Sequence, residues 1–213
     1  MRLTCEAWAD GAFIPPLYAA GRRDEQGGVT FSDNLNPPLA WRDVPLGTRS
    51  LVLLCHDPDA PSVGDDVNQP DREVPHDLPR ADFFHWVLVD LPPVLREITA
   101  GEFSQGVTPR GKPGPEALHG ARQGLNDYTG WFSGDEALAG RYFGYDGPFP
   151  PFNDARVHRY LFMLYALDVD RCPVDGAFTG PQVLEAIRGH VLAQACYSGR
   201  YTLNPRLIEA DKA

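Results

Sequence analysis

The chain has 213 residues, with 29 acidic against 19 basic side chains and a formal net charge of -10. That balance, uninterrupted by any run of Lys or Arg, repels polyphosphate backbones and excludes nucleic acid more firmly than it excludes a compact anion held in a local pocket. No stretch approaches the ~18 consecutive apolar residues of a membrane span, and the N-terminus lacks the apolar core of a secretory signal, so a cytoplasmic protein without a membrane span is expected.

The length lies within the range of single all-β sandwiches, and residues 1–213 read as one domain. A chain of this size buries roughly 70% of the surface its unfolded form exposes, so its core needs no metal or disulfide. Cys5, Cys55, Cys172 and Cys196 lie far apart with no C-x-x-C pair, and each reads as a buried free thiol. Gly and Pro, 21 of each, interrupt the sequence every few residues, which favours short strands over long helices.

In chain order, the first strong apolar run is Ser50–Cys55 (SLVLLC), followed by Trp86–Leu91 (WVLVDL) and Tyr160–Leu167 (YLFMLYAL). All three are short, apolar on both faces and rich in β-branched and aromatic residues, which predicts strands buried between layers. Directly after the first run comes Asp57-Pro58-Asp59-Ala60-Pro61, read as a stiff loop at a strand end, either a plain Asp-Pro turn or a device that presents carboxylates. Residues Ser62 to Ala81 are polar and Pro-bearing, an excursion from the sheet rather than a linker.

His85 directly precedes the second run, and His158 stands just before the third. Either alone reads as a hydrogen-bonded structural histidine. Together, at similar strand ends beside a carboxylate loop, they suggest a cluster that titrates near neutrality and binds a phosphate oxygen. The segment Gly106–Lys112 has seven positions of a phosphate-cradling loop, but Pro113 stands where Ser or Thr must hold magnesium. Gly147-Pro148-Phe149-Pro150-Pro151 reads as a rigid wall where glycine admits a ligand near the backbone. Beyond Thr179, Val183, Leu184, Ile187, Val191 and Leu192 recur at helical spacing, which predicts a helix from Pro181 to about Ala195.

Taken together, Phe13-Ile14-Pro15, Asn34 through Trp41, Asp57–Pro61, His85-Trp86, Asn126-Asp127-Tyr128, Gly147–Pro151 and His158-Arg159-Tyr160 make the chain resemble the phosphatidylethanolamine-binding protein family, in its bacterial branch of Raf kinase inhibitor-like proteins. The resemblance implies a mostly-β fold, a two-layer antiparallel β-sandwich with peripheral helices, one of them near the C-terminus. It implies a small pocket for phosphate-like anions built from Asp57, Asp59, His85, the backbone around Gly147 and Pro148, and His158, with Arg159 and Tyr160 supporting its wall. The family commonly has Ser where Asn36 stands, and Phe152–Val157 replaces a shorter turn of the animal members.

The expected function is therefore non-catalytic binding of a small anionic ligand, a phosphate ester or headgroup, with no cofactor and no metal. In that reading both histidines donate to the anion and Asp57 orients one of the rings. The alternative is a regulator that acts on a partner protein, kinase or protease, with the pocket only modulatory. A hydrolase using Asp57 and His85 as an acid–base pair is a third reading, and a homodimer is left open by the bacterial resemblance.

Overall fold

The structure is a computed structural model that describes residues 1–211. Its strands are β1 (Arg2–Thr4), β2 (Gly21–Arg23), β3 (Val29–Phe31), β4 (Leu39–Arg42), β5 (Ser50–Pro61), β6 (Arg80–Leu91), β7 (Glu97–Ile98), β8 (Gly111–Lys112) and β9 (Arg122–Gln123). After these come α1 (Tyr128–Trp131), β10 (Arg141–Tyr142), β11 (His158–Leu167), α2 (Gly180–Ala186), β12 (Val191–Tyr201) and α3 (Pro205–Asp211). No helix among the described residues is long and apolar enough to cross a membrane.

The three apolar runs form the centre of one antiparallel sheet of order β12-β11-β5-β6-β9. Because alternate residues of a strand face opposite sides, a run that is apolar throughout must be covered on both. One face, carrying Leu51, Leu53, Trp86, Leu88, Phe162 and Leu164, packs with Leu39, Trp41 and Ile98 of the small sheet β1-β4-β7. The other face, carrying Val52, Leu54, Val87 and Val89, is closed by Phe178 and by Val183 and Ile187 around α2. The mostly-β expectation holds, with a helix as well as a second sheet covering the central strands.

The predicted helix from Pro181 to Ala195 is only half right. Residues 180–186 are helical, opened by Pro181 and by a Thr179 N–H that donates to Gln182 Oε1 at 2.9 Å. Gly189, at φ +86, then turns the chain, and Val191–Tyr201 becomes an edge strand paired with β11. Val191 and Leu192, assigned by spacing to the buried face of a helix, are 38% and 44% exposed on that strand. The ladder pairs ten residues of β12 with β11 and covers an edge of β11 that a longer helix would leave open.

All four cysteines are free, as expected, but only Cys55 and Cys172 are buried; Cys5 is half-buried and Cys196 exposed. The Asp57–Pro61 segment also differs from its reading as a loop, because β5 runs on through Pro61. Besides a slip between Leu51 and Leu53, pairing slips at two points toward this end of β5, between Cys55 and His56 and again between Asp57 and Ala60. At the first, the extra residue is His85 on β6; at the second it lies on β5, where Pro58 has no N–H to give. Both bulges lie at the end of the sheet where the candidate residues meet.

Candidate functional site

The two bulges and the start of β11 bring Asp57, His85 and His158 around one cavity of about 150 Å3, which Tyr160 also lines. His158 and Tyr160 are two residues apart on β11 and so share a face. Phe149, Pro150 and Pro151 form a wall, and Trp131 and Phe132 stand beside it. His85 is surrounded by rings: its centroid lies 4.9 Å from that of Phe83, 5.5 Å from Tyr128 and 5.1 Å from Tyr160.

His158 is not the ligand donor that its sequence position suggests. Its Nδ1 lies 2.6 Å from Asp57 Oδ2 and its Nε2 lies 2.9 Å from Asp154 Oδ2, so both ring nitrogens are already engaged by carboxylates. Burial pushes the ring's pKa down, but the Asp57 charge and the bonds to Asp154 and Asp57 outweigh it and hold the pKa up at about 9. Asp154 in turn pairs with Arg80, at 2.6 and 3.1 Å. The four charges Asp57, His158, Asp154 and Arg80 cancel, so the floor does not carry the net positive charge that two imidazolium groups would have supplied.

His85 behaves differently. Its Nδ1 lies 2.8 Å from the Asp146 carbonyl oxygen, which only an Nδ1–H can satisfy, so in the neutral ring Nε2 carries a lone pair. Among the described residues no group bonds that second nitrogen. Burial lowers the His85 pKa and outweighs the opposing pull of Asp57 and Asp146, which favours the neutral ring near pH 7. The Asp146 carbonyl is itself held from behind, because its carboxylate accepts from Asn34 and Asn126 at 2.7 Å each and pairs with Lys112 at 3.0 Å. Lys112, the last residue of the phosphate-loop-like stretch, is thus an internal support.

Asp59, Gly147 and Pro148 do not line the cavity. The Asp59 carboxylate is turned to Arg159, at 2.8 and 3.1 Å, and to Arg156 at 3.2 Å. Burial raises its pKa, yet the Arg159 and Arg156 bonds leave it lowered. Gly147 gives its N–H to Asn34 and accepts the Tyr128 hydroxyl at 2.8 Å each, while the Pro148 carbonyl accepts the Ala20 and Gly21 N–H groups. A Cβ at Gly147 would meet the Tyr18 carbonyl oxygen at 2.2 Å, so the glycine serves close backbone packing behind the wall rather than approach of a ligand.

Sequence reasoning missed Asp154 and Arg80 altogether and gave Tyr160 only a supporting role. Yet the Tyr160 hydroxyl is the one fully buried side-chain polar atom among the described residues without a hydrogen-bond partner. A signal for Asp154 existed, since it stands four residues before His158, but it fell in a segment read as a divergent turn.

The family model of the phosphatidylethanolamine-binding protein matches residues 4–202. The chain belongs to the phosphatidylethanolamine-binding protein family. It is 33% identical over 202 residues to UPF0098 protein YbhB of Escherichia coli (strain K12), covering 95% of this chain and 100% of that one. To a UPF0098 protein of Chlamydia trachomatis it is 35% identical, covering 94% and 98%. The crystal structure of a Chlamydia trachomatis homolog of the phosphatidylethanolamine-binding protein aligns with TM-score 0.63 at 30% identity, covering 94% of this chain and 95% of that one. Escherichia coli YbcL shares the fold, with TM-score 0.65 at 24% identity over 94% and 97% of the two chains.

In this phosphatidylethanolamine-binding protein family member, the departures noted in the sequence have definite places. Asn36 accepts the Phe103 and Ser104 N–H groups and does not line the cavity, whereas Asn34 bonds the Asp146 carboxylate behind His85. The polar excursion after β5 supplies Val67 and Asn68 to the cavity wall. It is clamped by Asn153, whose amide donates to the carbonyls of Asp66, Gln69 and Arg72. Among the described side chains, none of α3 lines this cavity.

Proposed function

We propose that this protein binds, without turning over, a small oxyanion that carries its own proton, such as the hydrogen phosphate head of a phosphate monoester. The observation that carries the reading is the pairing of two unfilled groups on one cavity. Among the described residues, the Tyr160 hydroxyl is a buried donor with no acceptor, and His85 Nε2 is a lone pair with no donor. A hydrogen phosphate supplies both complements, accepting from Tyr160 through one oxygen and donating its P–OH to His85.

The neutral floor supports the monoanion over the dianion, because a second negative charge would face Asp57 with His158 and Arg80, the cations of the floor, already paired. The lining offers no Ser, Thr, Cys or Lys, and its carboxylate, Asp57, is already held by His158 and by the Asp59 N–H, which supports binding rather than turnover.

Calorimetric titration with methyl phosphate at pH 5.5 tests the reading. The parent protein is expected to bind, and His85→Ala and Tyr160→Phe are each expected to lose roughly tenfold in affinity, the equivalent of one charge-assisted hydrogen bond. If the parent does not bind, or both variants bind as the parent does, the alternative of a regulator acting through its surface takes the place of the pocket.

A further inference from the structure

A second cavity, of about 470 Å3, opens where β2 meets the segment between β12 and α3, and nothing in the first site uses it. Phe13, Ile14, Pro16, Leu203 and Ile208 form its apolar wall, and the side chains of Arg22 and Arg23 line it as well. Ile14 and Leu203 are buried in the protein core, so this wall is fixed rather than a passing surface dimple. The volume falls within the few-hundred-to-1,000 Å3 range of small-molecule sites.

The charges at this cavity are unbalanced. No carboxylate lines it, and no carboxylate pairs with Arg22 or Arg23 among the described residues. Arg23 donates to two backbone carbonyls, those of Leu203 at 3.3 Å and of Gly27, which partly engages its fork. Arg22 makes one long bond of 3.5 Å to the Arg23 carbonyl, which leaves most of its donors open. Arg22 is exposed and Arg23 half-buried, so both stand at the mouth of the cavity, unlike the buried Arg80 and Arg122, which are paired with Asp154 and Asp90.

We propose that this cavity is a second binding site, taking a small amphipathic monocarboxylate whose apolar body lies on Phe13, Ile14, Leu203 and Ile208 and whose carboxylate pairs with Arg22. A planar carboxylate matches the guanidinium fork in two parallel hydrogen bonds. A single charge fits better than a dianion because one guanidinium is open and the other is partly held by carbonyls. The apolar wall contributes through area removed from water, so a carboxylate with no hydrocarbon body binds poorly.

Octanoate, below its micellar concentration, is the probe, with 1-octanol and acetate beside it. Titration followed by amide chemical shifts is expected to show saturable octanoate binding with shifts around Ile14, Arg22 and Leu203. Arg22→Gln is expected to weaken octanoate roughly tenfold or more while leaving octanol unchanged. Ile208→Gln, at the half-buried α3 side of the wall, is expected to weaken both. His85→Ala, at the other cavity, is expected to bind octanoate as the parent does. The proposal is overturned if octanoate does not saturate, if Arg22→Gln binds it as the parent does, if acetate binds as well as octanoate, or if the shifts and the loss follow His85 instead.

Discussion

Nδ1 of His158 lies 2.6 Å from Oδ2 of Asp57, a hydrogen bond between two almost fully buried side chains 101 positions apart in the chain. It converts what the sequence offers as a ligand donor into a cationic support for the floor of the cavity. Asp57 keeps its own position through the Asp59 N–H, which donates to its other oxygen at 2.7 Å.

The stability of the protein should carry the signature of that pair. The His158 pKa is raised from 6.5 to about 9, so its contribution is complete below pH 6.5 and is lost as the pH rises through 9. The expected loss over that interval is of order 3 kcal/mol, seen as a falling urea midpoint. His158→Gln should flatten the profile and cost about 3–5 kcal/mol at pH 6.5, because it leaves Asp57 and Asp154 buried together without the ring between them. A parent midpoint that is flat from pH 6.5 to 9.5 would refute the charged ring.

Tyr160→Phe should separate stability from binding. Leaving a buried hydroxyl unpaired costs about 1–3 kcal/mol, so its removal should raise the melting temperature of the unliganded protein while weakening methyl phosphate. If the variant melts lower, the hydroxyl has a partner in the unliganded protein.

Methyl phosphate binding should weaken as the pH rises past the ligand's second ionisation near ~6, because the P–OH that meets His85 Nε2 is lost. At pH 7, where the free ligand is mainly the dianion, binding should take up a proton, read as a dependence of the calorimetric heat on the buffer's ionisation enthalpy. Dimethyl phosphate has no P–OH and can bind only when His85 is protonated; since burial lowers that pKa, its affinity should rise only at pH values below the ordinary histidine range. Equal affinity of the two esters at pH 6 would show that no ligand proton is involved.

The wall contributed by Val67 and Asn68 should depend on Asn153. Asn153→Ala removes the amide shared among the carbonyls of Asp66, Gln69 and Arg72 and the acceptor for the Asn68 N–H. Hydrogen exchange of residues 64–74 should quicken at least tenfold while the central strands β5 and β6 keep their protection. Unchanged exchange in the excursion would mean that the backbone bonds of Val74 with Asn153 and Ala155, together with Arg80 on the Pro75 carbonyl, hold it without the Asn153 side chain.

At the other end of the sheet, Gly189→Ala should cost about 1–2 kcal/mol in unfolding free energy, since its φ of +86 strains any residue with a Cβ even though the space around it is open. A cost near zero would mean that the turn between α2 and β12 can adopt another shape.

What the sequence by itself determined is the scaffold and the rough location of the site. Ser50–Cys55, Trp86–Leu91 and Tyr160–Leu167 announce themselves as buried strands because local composition decides whether a segment can be covered on both faces. Asp57, His85 and His158 stand at or near the ends of those runs, and the sheet duly brings them around one cavity. Only the tertiary structure decided what each does. The single-residue slips at His85 and Pro58 are properties of the pairing of two strands, and they send Asp57 to the cavity and Asp59 to Arg159. Whether residues 191–195 continue a helix or pair with β11 depends on a neighbour that periodicity cannot see. Most of all, a histidine's role depends on what meets both of its nitrogens. Asp57 and Asp154 fill those of His158, while Asp146 fills one of His85 and leaves the other open, and those partners meet the rings only once the sheet and its loops have closed.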